Sequence, residues 1–546
     1  MRTQPHRLVI TKFALPAAVL TLGTLLAACG NTGSKAASSP GTTADSSASS
    51  PATTAIASSD SSGSTVVNWA YTNDEPSWDP VVVGATSATQ LLSTIYEPLF
   101  TLNAAGQLEP ALATGYTYNS TGTAVTITLR PGLTFQDGSP LNAQAVAFNV
   151  NRIETQTNSA LKADWGEVAS TTVLSPTQIR LNLKQADYQI PYVLANRSSL
   201  LASEQAATTN LNGLNTNDPI GAGPFKVVKF VPGSEVSLVK WDGYWDAKDI
   251  HVDKVNIFLN VDPATVLSGL QTGVYNFVTN LPNQDVALAK SDGLKVVTDT
   301  ARGWGAYFLS LNVNKAPFNN PLVVKAFQYA VNRQQFVSET TFGLGTASVQ
   351  PFPPSSPAYN PSLESSWPYP YNPALAKQAL AQAGYKPGQL SVDIDAISGA
   401  FNADVELLQQ QLSAVGIKSN IVLQTVAQFY TGYYGKTDSL ALYGYVGRDS
   451  KLEALDEHFS PSGILNLSAP DISPQYAAAR EQVLGLAIDS PGYETALQAA
   501  TKAGVLNGST ITLLTEPQAY ATTKGFSEFP VVDGSFRWNG VTINGQ

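Results

Sequence analysis

Three histidines and one cysteine are all that 546 residues offer for the softer kinds of chemistry. They are His6, His251, His458 and Cys29, and none is adjacent to another. Such scattered ligands make a zinc site improbable on composition alone, although carboxylates could still hold a harder ion. Asp393-Ile394-Asp395 begins like a calcium loop, but Ile397 and Ser398 stand where an oxygen ligand and a glycine are needed. No G-x-S-x-G elbow occurs, and the usual general base is nearly missing. Neither a P-loop nor a G-x-G-x-x-G fingerprint is present. A pair of carboxylates of the glycosidase type stays open, because an acidic chain offers many pairs. No cofactor or bound metal is expected from these residues. Two segments could present binding groups. In Arg302-Gly303-Trp304-Gly305, two glycines around a tryptophan let backbone approach a ligand beside a flat apolar wall. The plainer alternative is a core tryptophan beside a turn. In Gly84-Ala85-Thr86-Ser87, the hydroxyls of Thr86 and Ser87 could bond a ligand backbone, or simply cap a helix.

Cys29 follows Arg2, Arg7 and Lys12, an apolar run from Phe13 to Ala27, and Leu26-Ala27-Ala28. A run of that length is too short for a confident membrane span and suits a secretory signal. The residues around the cysteine resemble a bacterial lipobox. This implies cleavage before Cys29 and lipidation of its thiol, with residues 1–28 as signal peptide. A lone cysteine cannot form an internal disulfide, and a free thiol would be unusual on an exported protein. Residues 30–64 are rich in Ser, Ala, Thr, Gly and Pro and cannot bury enough surface to offset chain entropy. They are expected to form a flexible tether. Loss of the signal would take the net charge from −10 to about −13. That acidity argues against nucleic acid and anionic lipid surfaces as partners.

The body, from residue 65 on, is large enough for several cores. Residues 66–71 read as a strand and 86–96 as a helix. Val125, Ile127 and Leu129 alternate with polar neighbours, the pattern of a strand with one wet face. Ser139 followed by Pro140 predicts a helix start there, continuing to about Ile153. Residues 221–245 read as two strands around Pro232-Gly233, residues 264–273 as a helix closed by Gly273, and 305–313 as an apolar strand. Helices are expected from Asn320-Pro321, from Pro373, and from about Asn402 to Val415, where Gly416 stops the helix before a strand. Helix, glycine stop and strand is α/β organisation. Extended structure returns after about Ile511.

Several blocks, in order, resemble the peptide/nickel-type extracellular solute-binding proteins of ABC importers. They are Trp78-Asp79-Pro80 with Ile95-Tyr96-Glu97-Pro98-Leu99, the segment Leu108–Ala113, Leu129 to Leu141, Gly221-Ala222-Gly223-Pro224-Phe225 with Gly243-Tyr244-Trp245, and Asn312 to Arg333. Departures include Asn276 and Asn332 where the family usually carries aspartate. The resemblance implies an α/β, two-lobed, class II periplasmic-binding-protein-like fold with an inserted subdomain and a hinge. The first lobe would comprise about 66–100, 215–300 and 510–546, the inserted subdomain about 101–214, and the second lobe about 301–509. It also implies a monomer held at the extracytoplasmic face of the cell membrane by its lipid, passing a small solute to an ABC permease and its ATPase. An oligopeptide or dipeptide leads as ligand, with metal chelates, opines or sugars as alternatives. In peptide-binding relatives, an aspartate after a Gly-aromatic pair grips the peptide ammonium. Here Gly444-Tyr445-Val446-Gly447-Arg448-Asp449 leaves two readings. Either Asp449 faces the cleft and takes an ammonium, or Arg448 does and favours a carboxylate. Both could also lie on a solvated turn. Tyr445, Trp304, Arg302, Thr86 and Ser87 complete the expected ligand wall.

Overall fold

The computed structural model describes residues 64–546 apart from 74–76, 84–85, 104–105, 210–213, 215–217, 301–303, 449, 470–472, 528–530, 533–534 and 545–546. Cys29, the signal segment and the tether lie outside the described residues.

A seven-stranded sheet runs in the order Lys295–Val297, Tyr520–Thr522, Phe277–Val278, Val66–Ala70, Lys254–Phe258, Glu235–Lys240 and Phe225–Val231. Val66–Ala70 is central and pairs in parallel on both sides. A strand flanked this way is covered on both faces, which fits its apolar composition. Trp69 is fully buried and meets Phe536 edge-on at 5.1 Å. The sequence-derived hairpin is present as Phe225–Val231 and Glu235–Lys240, with Gly233 at φ 69° in its turn.

A six-stranded sheet has the order Thr346–Ala347, Thr510–Pro517, Trp304–Leu311, Leu440–Val446, Ser391–Ile397 and Lys418–Gln424. Trp304–Leu311 is buried at seven of its eight positions and pairs antiparallel with both neighbours. The helix Asn402–Ala414 and Gly416 at φ 88° precede Lys418–Gln424, as the sequence pattern indicates. Asp393 and Asp395 stand on the strand Ser391–Ile397. The chain passes from the first sheet to the second between Val297 and Trp304 and returns between Pro517 and Tyr520. Thr510–Pro517 therefore lies in the six-stranded sheet, not with the first sheet as the expected 510–546 segment would place it. Its eight residues are buried at seven positions, so its register with Trp304–Leu311 decides its place.

Between the first and second strands of the seven-stranded sheet, counted along the chain, a four-stranded antiparallel sheet is inserted. Its order is Ala113–Tyr118, Ala124–Leu129, Gln178–Leu183 and Val168–Ser175, and it has its own core. Val125, Ile127 and Leu129 are buried, as their alternation requires. The following helix begins at Ala143, not at Ser139-Pro140. Asn142 caps it by accepting from the amides of Gln144 and Ala145 at 3.0 and 3.1 Å. Ser139 instead donates its amide and hydroxyl to Asp137, and Pro140 bridges back to Thr134. A side chain that can cap can equally close a local turn, and here the turn wins.

The separated sequence blocks meet in space. The Gln136 amide donates to the carbonyls of Ile95, Gly223 and Phe225 at 3.3, 3.1 and 2.7 Å. Tyr96 donates to the Trp78 carbonyl at 2.7 Å. Asp79 forms a buried ion pair with Arg152 at 2.6 Å. Glu97 accepts from Tyr244 and Trp245, both at 3.0 Å, and burial pushes its carboxyl up to about 7. At Gly223 a Cβ would stand 2.6–2.8 Å from the backbone of Ile95 and Tyr96. Gly223→Ala is therefore expected to cost about 1–3 kcal/mol by overpacking, seen as a lower urea midpoint. An unchanged midpoint would mean that the backbone yields freely there.

Asn276 accepts from the Asn68 amide at 2.7 Å and donates to the Val66 carbonyl at 2.9 Å. An ionised aspartate could not make the second bond. Asn332 caps the helix Arg333–Thr340.

Candidate functional site

The strand Leu440–Val446 ends in Gly447-Arg448, and Ser450 then caps the helix Lys451–Phe459 by accepting from the Glu453 amide at 3.1 Å. This short path fixes where Arg448 can reach. A Cβ on Gly447 would lie 2.5–2.8 Å from the Trp304 indole, so only glycine lets the chain pass over that ring without displacement. The helix carries Glu453, Asp456 and Glu457 at i, i+3 and i+4, hence on one face.

Each of these carboxylates is engaged. Arg448 donates through Nε and Nη2 to Glu457 Oε1 at 3.1 and 2.9 Å, and the Tyr445 hydroxyl donates to Glu457 Oε2 at 2.7 Å. Burial opposes the charge on Glu457, yet Arg448 and Arg197 hold its carboxyl below the usual range. Arg197 bonds Asp164 at 2.6 Å and Glu453 at 2.8 Å. Burial and Asp164 push the Glu453 carboxyl well above the ordinary range despite Arg197. Arg480 holds Asp456 at 2.8 Å and Glu167 at 3.4 Å.

Two of these arginines bridge separate parts of the fold. Asp164, Glu167 and Arg197 belong to the chain around the four-stranded sheet, whereas Glu453 and Arg480 belong to the part built on the six-stranded sheet. Gln189 accepts from the Tyr493 hydroxyl at 2.7 Å, and the Tyr188 amide donates to the Leu484 carbonyl at 3.1 Å. Between the two parts lies a cavity of about 670 Å³. Its floor and walls include Asp187, Tyr430, Tyr434, Tyr445, Arg448 and the carboxylates above. Tyr430 and Tyr434 stack with centroids 4.9 Å apart, and Tyr434 stays 43% exposed. Asp187 accepts from the Gln189 amide at 2.7 Å, and burial pushes its carboxyl up to about 7. A space of this size, walled by aromatic rings and a few placed polar groups, is the form a small-solute site takes.

The family description for bacterial extracellular solute-binding proteins, family 5 Middle, matches residues 107–462. The chain belongs to this family. The glutathione-binding protein GsiB of Salmonella typhi is 31% identical over 362 residues, covering 66% of this chain and 69% of GsiB. Two solved structures share the fold. One is the ABC transporter-associated periplasmic binding protein DppA from Helicobacter pylori with the peptide STSA, at 21% identity and a TM-score of 0.78. It covers 88% of this chain and 98% of DppA. The other is AgaA from A. tumefacien R10 with agropinic acid, at 20% identity and a TM-score of 0.79, covering 88% and 99%. The two-lobed class II architecture follows from these likenesses.

Within this family 5 member, the sequence-derived ligand wall separates into three groups. Tyr445 and Arg448 line the cavity together. Arg448 is not on a solvated turn: its side chain is 12% exposed and its guanidinium is held by Glu457. Trp304 is 2% exposed and sits in the core beneath Gly447, 5.6 Å from the Phe352 ring, so it backs the wall instead of forming it. Thr86 and Ser87 open the helix Thr86–Leu92; their side chains, like Arg302 and Asp449, lie outside the described residues. The sequence reading missed Glu453, Glu457, Asp164, Arg197, Tyr430 and Tyr434. One signal was available in Lys451–Phe459: three carboxylates at helical spacing, opposite Leu452, Leu455 and Phe459.

His458 supports the site from beneath. It is buried against Phe308, Tyr443 and Tyr445, its Nδ1 is 2.8 Å from the Ala454 carbonyl, and burial pushes its pKa down to about 4. The ring is thus neutral in the fold. Because the unfolded chain takes the proton first, the ring contributes stability above about pH 6.5 that is lost as pH falls toward 4. Its imidazole carbon resonances are expected to stay in the neutral position down to about pH 4. A midpoint near 6.5 would contradict its packing.

Proposed function

We propose that this family 5 protein is an extracytoplasmic carrier that captures a peptide-class solute in the cavity beside Arg448 and Tyr445 and hands it to an ABC permease. The observation that carries this reading is the cavity of about 670 Å³ bridged by Arg197–Glu453 and Arg480–Glu167. Those bridges join the two parts of the chain between which the solute would sit. A ligand drives closure only by binding the closed arrangement better than the open one. The closed outline is what a permease would distinguish from an empty carrier. GsiB is named for glutathione, itself a tripeptide, and DppA was solved with a peptide, which supports peptide over opine, the class represented by AgaA. The carrier releases its solute unchanged, so no turnover is expected. Cys29, lipidated after removal of residues 1–28, would hold a monomer at the membrane, with residues 30–64 as tether and no role for nucleic acid. About 35 residues of that composition span roughly 30–35 Å as a random coil, enough to let the body reach a neighbouring permease.

The test is native mass spectrometry of the full chain, purified in mild detergent without denaturant, against its denatured mass. A bound species whose fragments are those of a peptide is the expected result. A bound opine or sugar would replace the peptide reading. The same spectra weigh the anchor: an unmodified Met1 or an unlipidated Cys29 on the membrane-bound form would remove it.

A further inference from the structure

The cavity treats the two signs of charge unequally. Its described lining holds six carboxylates, Asp164, Glu167, Asp187, Glu453, Asp456 and Glu457, against the guanidiniums of Arg197, Arg448 and Arg480. All three arginines are already spent on those carboxylates: Arg197 is shared by two, Arg480 by two, and Arg448 is held by Glu457. An anionic solute would have to share guanidiniums already held by carboxylates, and would still face Glu167 and Glu457. Taking Arg448 or Arg197 from its partner instead would strand a buried carboxylate, which is costly. A cation meets the reverse. An ionised carboxylate has about four acceptor positions, and an arginine contact uses only one or two of them. Asp187 forms no ion pair with any described residue, and Glu167 is held only at 3.4 Å. Tyr434, exposed and stacked on Tyr430, offers a ring face to an ammonium or guanidinium in the same space.

We infer that the solute is cationic: a peptide carrying an ammonium or guanidinium side chain, seated among Asp187, Glu167 and the Tyr430–Tyr434 stack. This rests on the solute-binding reading above and narrows it. Net charge decides between solutes that the fold alone admits equally, because like charge repels across a desolvated wall and opposite charge attracts.

The experiment is titration calorimetry of the full chain, freed of any endogenous solute by unfolding and refolding, with Ala-Lys-Ala, Ala-Ala-Ala and Ala-Glu-Ala at neutral pH. The lysine peptide should bind at least about tenfold tighter than the glutamate peptide, with trialanine between. Equal affinities, or a preference for Ala-Glu-Ala, would overturn the inference. Glu167→Gln and Asp187→Asn should each narrow the Lys-to-Glu ratio severalfold. A ratio unmoved by both also counts against it. If no tripeptide binds, the peptide reading fails and charge is tested separately with agmatine and succinate. Binding of agmatine alone upholds a cationic solute; binding of succinate, or of neither, removes it.

Discussion

Asp79→Ala is expected to cost the fold about 3–5 kcal/mol, among the largest single losses predicted for this chain. Asp79 is 1% exposed and accepts from Arg152 at 2.6 Å and from the Val81 amide at 3.1 Å. Arg152 lies on the helix Ala143–Thr155 of the inserted part, so the pair ties that part to the Trp78-Asp79-Pro80 segment. Removing the carboxylate leaves a guanidinium buried without its counter-charge, which is worse than never having buried the pair. Total stability of a domain is about 5–15 kcal/mol, so a large share would go. Asp79→Asn keeps an acceptor for Val81 and should lose less. Urea midpoints for the two variants check this. A loss in Asp79→Ala below about 1 kcal/mol would show that Arg152 finds water or another partner.

Arg448→Ala should destabilise by a similar amount for the same reason, since it strands Glu457. Its telling feature is recovery. Glu457→Gln in the same chain removes the orphaned charge, so the double variant should be more stable than Arg448→Ala alone. A coupling of about 1.5–3 kcal/mol is expected from a double-mutant cycle. Simple additivity would mean that the two groups do not depend on each other. Both Arg448→Ala and the double variant should lose bound solute at least about tenfold, because Arg448 and Tyr445 shape the same wall. Stability recovered without binding is the signature expected of a residue that serves both the fold and the site.

Much of the architecture was legible because apolar period and punctuation agree. Asn320-Pro321 caps and starts a helix where expected, Gly273 closes one, and Trp304–Leu311 is buried along its length. Ser139 misled because Asp137 was close enough to claim its hydroxyl and amide. The end of the second lobe misled because register with Trp304–Leu311, a contact across some two hundred residues, decides where Thr510–Pro517 belongs. The site was half legible. The glycines of Gly444-Tyr445-Val446-Gly447 marked a close approach, and the structure supplies its cause: a Cβ on Gly444 would meet the Phe401 ring at 2.9 Å, and one on Gly447 would meet Trp304. What could not be read was the opposite wall. Asp164, Asp187 and Arg197 carry no motif, and only tertiary structure brings them to Glu453. Trp304 looked like a ligand platform because flanking glycines signal close approach without saying what approaches; here it is the chain itself.

The central claim is that a solute is held between the inserted part and the second lobe. A crystal structure of the full chain, purified without denaturant and shown by its native mass to carry a solute, tests it most directly. Electron density for that molecule within reach of Tyr434, Tyr445 and Asp187, with Arg197–Glu453 closed over it, is the predicted result. The same solute seated elsewhere, with this cavity holding only water, would contradict it.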